Sequence, residues 1–158
     1  MLNEDYKEML QILLEEKVKF IVVGAYALSA HGYPRATGDI DIWIEPTSDN
    51  SQKLISSLTR FGAPLFDVSA KDFTKEGIIF QIGVAPRRID ILTAIDGVEF
   101  QSAHARKLEI LLEGISIPVL SLEDLIKNKQ STGREQDSID AKILKKKLIP
   151  NNANTTDS

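Results

Sequence analysis

Two aspartates alternate with isoleucines in the segment GDIDIW, which otherwise has the composition of a buried strand. Because side chains alternate between the two faces of a strand, Asp39 and Asp41 share one face, and the isoleucines share the other. Two neighbouring carboxylates oppose each other's ionisation. A divalent cation bound by both would remove this conflict, whereas the alternative is an exposed strand face with two solvated acids. The spacing alone leaves both interpretations open.

A glycine upstream of this pair adds a second feature. Gly24 ends a β-branched run and precedes a short helical segment, AYALSAH. Glycine lets the backbone approach a ligand, and the first N–H groups of a helix attract an anion such as phosphate. The alternative is a plain strand-to-helix turn. Thirteen residues separate the dipeptide GA from DID, so we expect a phosphate cradle and a pair of carboxylates on neighbouring strands.

This arrangement resembles the signature of the nucleotidyltransferase superfamily typified by DNA polymerase β. The signature has a hydrophobic residue, Gly followed by Gly or Ser, a spacer, and then Asp-hydrophobic-Asp/Glu-hydrophobic. The wider string GAYALSAHGYPRATGDIDIWI and the later GREQD resemble a bacterial branch related to AbiEii-type toxins and minimal nucleotidyltransferases. Ala25 departs from the signature, because a serine at that point can donate its hydroxyl to a nucleotide phosphate. The departure bears on catalytic efficiency and not on the fold.

The resemblance implies a third carboxylate on a later strand, and Asp90 in RRIDIL is the candidate. Its alternative role is that of an edge-strand acid paired with Arg87 or Arg88. With Asp39 and Asp41 it would form a catalytic and metal-binding set for two Mg²⁺ or Mn²⁺ ions. Asp90 would also accept the proton of the acceptor hydroxyl.

The resemblance also implies residues that contact the nucleotide. Arg35 lies in a predicted loop between Pro34 and Gly38, from which its side chain could reach a phosphate. The alternative is that Arg35 is an ordinary exposed surface residue.

Near the C-terminus, Lys129 and Asp137 lie on apolar helix stripes. The resemblance implies that Lys129 contacts the triphosphate and that Arg134 and Asp137 form an orienting pair, whereas the alternative is compensation of helix dipoles. The predicted nucleotide-binding residues are Gly24, Ala25, Arg35, Thr37, Lys129, Arg134 and Asp137.

The elements that position these residues follow from hydrophobic periodicity. Helices alternate with strands early, and GIIFQIG and RRIDILTAI form a hairpin, so we predict an α+β fold with a mixed sheet flanked by helices. Two further helices, SLEDLIKNK and TGREQDSIDAKILKKKL, each begin at a capping pattern. We predict a single domain over residues 1–149, with a core at about 18–95 and a C-terminal strand and helix part at about 98–149. Residues 150–158 read as a disordered tail.

Composition limits the chemistry. The chain of 158 residues has no cysteine and two histidines, so disulfides and thiolate sites are excluded and a metal would be held mainly by oxygen, which favours Mg²⁺ or Mn²⁺. The net charge of −4 gives no general basic field. An acidic N-terminal segment and the absence of a long apolar run predict a cytoplasmic protein without membrane contact.

The sequence therefore predicts a metal-dependent nucleotidyltransferase that uses a nucleoside triphosphate. By resemblance, the acceptor hydroxyl belongs to a tRNA, a protein or a small molecule, and the protein could act with a cognate partner in a toxin–antitoxin or phage-defence pair. The alternative is a catalytically weak or inactive binding module that acts as an antitoxin or regulator. Between Lys127 and Lys147 there are seven basic and three acidic residues, which fits either a nucleic-acid contact or a solvated helix face.

Overall fold

A computed structural model describes residues 2–33, 38–84 and 86–156, with side chains as far as 146. Within these residues the predicted α+β class with a mixed sheet is confirmed. A short 3₁₀ helix at Ala70–Thr74 was not predicted. The helices are α1 (Glu4–Glu15), α2 (Gly24–Ala30), α3 (Ser48–Phe61), α4 (Phe100–Ala105), α5 (Leu122–Ser131) and α6 (Glu135–Thr156). The strands are β1 (Phe20–Val23), β2 (Ile40–Ile44), β3 (Ile79–Ile82), β4 (Ile89–Leu92), β5 (Leu108–Leu112) and β6 (Ile115–Val119).

The strands form one sheet in the order β3-β4-β2-β1-β6-β5. The pairs β1–β2, β3–β4 and β5–β6 are antiparallel, whereas β2–β4 and β1–β6 are parallel. The two central strands β1 and β2 are almost continuously buried, as expected where helices cover both faces. Because β1 pairs with β6, the C-terminal strand part belongs to the same sheet as the N-terminal core.

Helix α1 illustrates how the local sequence sets an element. Asn3 accepts a hydrogen bond from the backbone N–H of Tyr6 and so caps the first turn. Met9, Leu10 and Leu13 are fully buried at helical spacing, and the buried stripe faces the core beside α3. The cap and the apolar stripe together account for the position and orientation of α1.

The C-terminal helices differ from the prediction in two respects. Thr132 was expected to cap α6, but it ends α5, and α6 begins three residues later at Glu135. The Thr132 hydroxyl does not cap α6 but donates to the Asp137 carboxylate at 2.7 Å. Helix α6 continues to Thr156 through the segment expected to be a disordered tail, and extending an existing helix is much less costly than starting one. No helix in the described part of the chain is both long and apolar enough to cross a bilayer.

Candidate functional site

The turn from β1 into α2 lies directly against the carboxylate of Asp41. Gly24 adopts a φ of +69°, a conformation that costs most side chains 1–2 kcal/mol, roughly. A Cβ added at Gly24 would overlap Asp41 Oδ2. Glycine at this position therefore permits the positive φ and leaves room for the Asp41 carboxylate. As a result, the β1–α2 backbone contacts the predicted acidic site.

A second glycine brings the chain before β2 against the β3–β4 connection. A Cβ added at Gly38 would overlap the carbonyl of Pro86. Two residues later, the backbone N–H of Ile40 donates to the Arg88 carbonyl at 3.0 Å. These contacts place Asp39, which immediately precedes β2, beside the start of β4.

Two of the three predicted carboxylates lie on neighbouring strands of the sheet, and the third, Asp39, directly precedes one of them. Asp41 of β2 and Asp90 of β4 are direct partners in the parallel register. Asp90 is 7% exposed and Asp41 is half-buried. Burial, the nearby charges of Asp90 and Asp39, and a hydrogen bond shared with Asp90 raise the pKa of Asp41 to about 6, and Arg88 opposes this only in part. The site thus concentrates negative charge in a partly desolvated position.

Arg88 lies between two of these carboxylates. Its Nε donates to Asp90 Oδ1 at 2.8 Å, and its Nη2 donates to Asp39 Oδ2 at 2.9 Å and to Asp90 Oδ2 at 3.3 Å. The hydrogen bonds to Asp90, together with the charges of the three carboxylates, raise the pKa of Arg88. The sequence alternative is thus half met: Asp90 pairs with a neighbouring arginine, but β4 is not an edge strand, because it lies between β3 and β2.

The donor set fits a hard divalent cation by its chemistry. Carboxylate oxygens are the ligands that Mg²⁺ and Mn²⁺ prefer, and the three aspartates supply them beside a backbone turn that only glycine allows. Among the residues that the structure describes, no three His, Cys, Asp or Glu side chains converge at metal-binding spacing. The Arg88 guanidinium instead contacts oxygens of Asp39 and Asp90.

The predicted C-terminal residues come together at the junction of α5 and α6. Lys129 Nζ lies 3.1 Å from Asp137 Oδ1 and 3.2 Å from Asp140 Oδ2, and the Lys129 side chain is 12% exposed. Arg134 Nε contacts Asp137 Oδ2 at 3.0 Å but is largely exposed. Burial opposes ionisation of Asp137, yet the hydrogen bonds from Thr132 and Lys129 outweigh it and lower the pKa overall. The lysine, the arginine and the aspartate thus form one ion-paired group.

Two predicted nucleotide contacts, Arg35 and Thr37, lie outside the described residues. Ala25 is the second residue of α2, directly after Gly24, and is partly exposed. It therefore follows the turn that contacts Asp41, as its place in the signature predicts.

Sequence reasoning missed two residues that support the site. Arg88 was named only as an alternative partner of Asp90, although its position two residues before Asp90 places both side chains on one face. Tyr6 is fully buried, and its hydroxyl donates to the Arg88 carbonyl at 3.2 Å. No signal in the sequence links Tyr6 to the site, because the contact joins residues 82 positions apart.

Comparison with protein families supports this architecture. A family model described as "Nucleotidyl transferase of unknown function (DUF2204)" matches residues 2–155. A comparison with curated proteins found no match.

Solved structures with the same fold share little sequence with this chain. A candidate nucleotidyltransferase from Thermotoga maritima has a TM-score of 0.58 at 19% identity, covering 95% of this chain and 96% of its own. ANT(2'')-Ia in complex with adenylyl-2''-tobramycin has a TM-score of 0.56 at 15% identity, covering 88% and 84%. The lincosamide antibiotic adenylyltransferase LnuA, bound to lincomycin, has a TM-score of 0.56 at 18% identity, covering 92% and 97%. The chain is similar to all three in fold.

Proposed function

Since this chain belongs to the nucleotidyl transferase family DUF2204, we propose that it moves a nucleoside monophosphate from a nucleoside triphosphate to a hydroxyl acceptor with Mg²⁺ or Mn²⁺. The observation that carries the proposal is the placement of Asp41 opposite Asp90 on parallel strands, with Asp39 adjacent. A purely structural role for these acids is a weaker explanation, because the pKa of Asp41 is raised to about 6 by burial and by the other two carboxylates.

The proposed reaction is a displacement at the α-phosphorus. The acceptor oxygen forms a bond to that phosphorus, and the bond from the phosphorus to the oxygen that bridges the α- and β-phosphates breaks. Pyrophosphate leaves with the electron pair, and the proton of the acceptor hydroxyl passes to the carboxylate of Asp90. The divalent cation supplies stabilisation of the negative charge on the phosphates. Asp39, Asp41 and Asp90 would hold it.

The nucleotide-binding role of the remaining residues belongs to the same proposal. The Gly24 turn would bring backbone N–H groups towards the phosphates, and Ala25 contributes no hydroxyl there. Arg35 and Thr37, which precede Asp39 in the sequence, would contact the phosphates. Arg134 is exposed enough to reach a ligand, whereas Lys129 is held by Asp137 and Asp140 and would contribute by positioning α5 against α6.

The acceptor is proposed as a class, a hydroxyl of a small molecule, a tRNA or a protein. The names of two structural neighbours describe antibiotic adenylylation, which supports including small hydroxyl compounds. The seven basic residues between Lys127 and Lys147 support including tRNA. A cognate partner in a toxin–antitoxin or phage-defence pair is part of the same proposal, as is a cytoplasmic location.

A binding module without turnover is the second candidate. It is favoured by Ala25, which lacks the hydroxyl of the signature, and by Arg88, which pairs with two of the three carboxylates. Such a module would bind nucleotide and modify nothing.

One experiment separates the two. The purified chain is incubated with each α-labelled nucleoside triphosphate, Mg²⁺ or Mn²⁺, and one of three acceptor pools: total tRNA, cell protein, or aminoglycosides and lincosamides. Label transfer that is lost in Asp39→Ala and Asp90→Ala but kept in Asp67→Ala, at an exposed aspartate, supports the transferase. Nucleotide binding without transfer to any pool supports the binding module, and the absence of both contradicts both.

A further inference from the structure

The side chain of Arg88 contacts the carboxylates that the proposed cation would need. Its three hydrogen bonds go to Asp39 Oδ2, Asp90 Oδ1 and Asp90 Oδ2. One guanidinium thus binds Asp90 of β4 and Asp39, which directly precedes the neighbouring strand β2. This fork geometry is specific to arginine, because a lysine ammonium cannot donate in two fixed directions.

We infer that Arg88 is a built-in counter-ion that competes with the divalent cation for Asp39 and Asp90, so that cation binding requires the guanidinium to leave. The inference rests on the proposed function, because it concerns the same carboxylates. It assigns Arg88 a positioning role. Without metal, the guanidinium keeps Asp39 and Asp90 close together by neutralising part of their charge. It also raises the metal concentration at which the site becomes half occupied.

The guanidinium and a divalent cation would compete for these oxygens. Mg²⁺ requires oxygen ligands at about 2.0–2.1 Å in a nearly octahedral arrangement. The guanidinium nitrogens already lie 2.8–3.3 Å from the same oxygens. A metal in contact with both Asp39 and Asp90 would therefore place a second positive charge beside Arg88, and the repulsion between the two cations favours displacement of the guanidinium.

The Arg88 side chain can leave while its backbone stays in place. Its carbonyl accepts hydrogen bonds from Tyr6 Oη at 3.2 Å and from the Ile40 backbone at 3.0 Å. The Arg88 side chain is 27% exposed, so a route to solvent exists. Release of the guanidinium would then require side-chain rotation without rearrangement of β2 or β4.

The competition has a measurable consequence. When the binding-competent state is a minor fraction of the molecules, the apparent dissociation constant rises by the inverse of that fraction. Removing the competitor should therefore tighten cation binding, on the order of tenfold for a partly exposed ion-pair network.

The test measures Mn²⁺ binding to the full chain in the absence of nucleotide, by electron paramagnetic resonance of free Mn²⁺ and by calorimetry. Arg88→Gln is compared with Arg87→Gln, a matched control that removes the same charge from the exposed neighbouring residue. We expect Arg88→Gln to bind Mn²⁺ about tenfold more tightly than Arg87→Gln. Arg88→Lys, which keeps the charge but loses the fork, should fall between wild type and Arg88→Gln.

The readout is independent of turnover, so its failure differs from failure of the proposed function. Equal Mn²⁺ affinities in Arg88→Gln and Arg87→Gln, including no binding by either, would overturn the role of Arg88 whatever the transfer assay shows. Weaker binding in Arg88→Gln would overturn it as well. Circular dichroism confirms that each variant is folded, and if Arg88→Gln is not, Arg88→Lys against Arg87→Lys decides the question by the same criterion.

Discussion

Asp41 and Asp90 face each other as register partners on the parallel strands β2 and β4. Parallel pairing brings side chains of opposing residues to the same face of the sheet, so the two carboxylates share a partly buried volume. Their proximity is the main electrostatic reason, after burial itself, why the pKa of Asp41 rises to about 6. The contact therefore makes the Asp41 carboxylate costly to keep ionised in the free protein.

The Asp41 carboxylate should make stability fall as pH rises. Its pKa increases from an ordinary value of 3.8 to about 6 on folding, so between these values the folded chain binds more protons than the unfolded one. The favourable contribution is complete below about pH 4 and is lost as pH rises through 6. Asp41→Asn, which mimics the protonated acid, should be more stable than wild type at pH 7.5 by about 2 kcal/mol. It should show little difference at pH 4.

Urea denaturation of both proteins at each pH gives this difference directly. Carboxylates away from this site change the stability of both proteins alike, so only the difference between the two proteins is informative. Asp67→Asn, at an exposed position, controls for the loss of one negative charge. A stability gain in Asp41→Asn that is the same at pH 4 and 7.5 would contradict the burial of a shifted carboxyl.

Gly24→Ala should destabilise the protein by more than its backbone conformation alone requires. The φ of +69° costs about 1 kcal/mol in an alanine, and the added Cβ would also overlap Asp41 Oδ2. We expect a total loss of about 3 kcal/mol, because both strain and displacement of Asp41 contribute. Gly133→Ala is the matched control, since Gly133 has a φ of +75° and no atom within 4 Å of the added Cβ. Equal losses in the two variants would show that the contact with Asp41 is not tight.

The parts of the site that depend on residues close together in the sequence were predictable. Period-two alternation placed Asp39 and Asp41 on one face, and the pattern around Asp90 predicted a second such strand. The strand order and the parallel β2–β4 pairing were not predictable, because they depend on contacts between distant segments. Arg88 could be named as a partner of Asp90 two residues away, but its bond to Asp39 exists only because β2 lies beside β4. The contact of Lys129 with Asp140 likewise depends on how α5 packs on α6.

Ala25→Ser tests the one departure from the signature. A serine hydroxyl at this position should donate to a nucleotide phosphate, and one hydrogen bond to a charged acceptor contributes about 1.5 kcal/mol. We therefore expect nucleotide affinity to increase about tenfold, measured by calorimetry with each triphosphate and Mg²⁺. The control is Ser29→Ala, which changes a hydroxyl at an exposed position of the same helix. Ala27→Ser is not used, because Ala27 is fully buried. Unchanged affinity in Ala25→Ser would place the phosphates away from this turn.

Lys129 is the shared cation of the ion-paired group at the α5–α6 junction. Lys129 lies between Asp137 and Asp140, whose side chains are 14% and 6% exposed. Lys129→Met would leave both carboxylates without their shared cation in a poorly solvated position, and we expect a loss of about 2 kcal/mol in the free energy of unfolding at pH 7. Lys53→Met is the matched control, because the Lys53–Asp49 pair is largely exposed and should contribute nothing measurable. Urea denaturation measures both. Because hydrogen bonds from Thr132 and Lys129 lower the pKa of Asp137, the loss in Lys129→Met should shrink as pH falls and Asp137 protonates. If Lys129 instead serves mainly as a triphosphate contact, its replacement would leave stability unchanged and would raise the KM for the nucleotide.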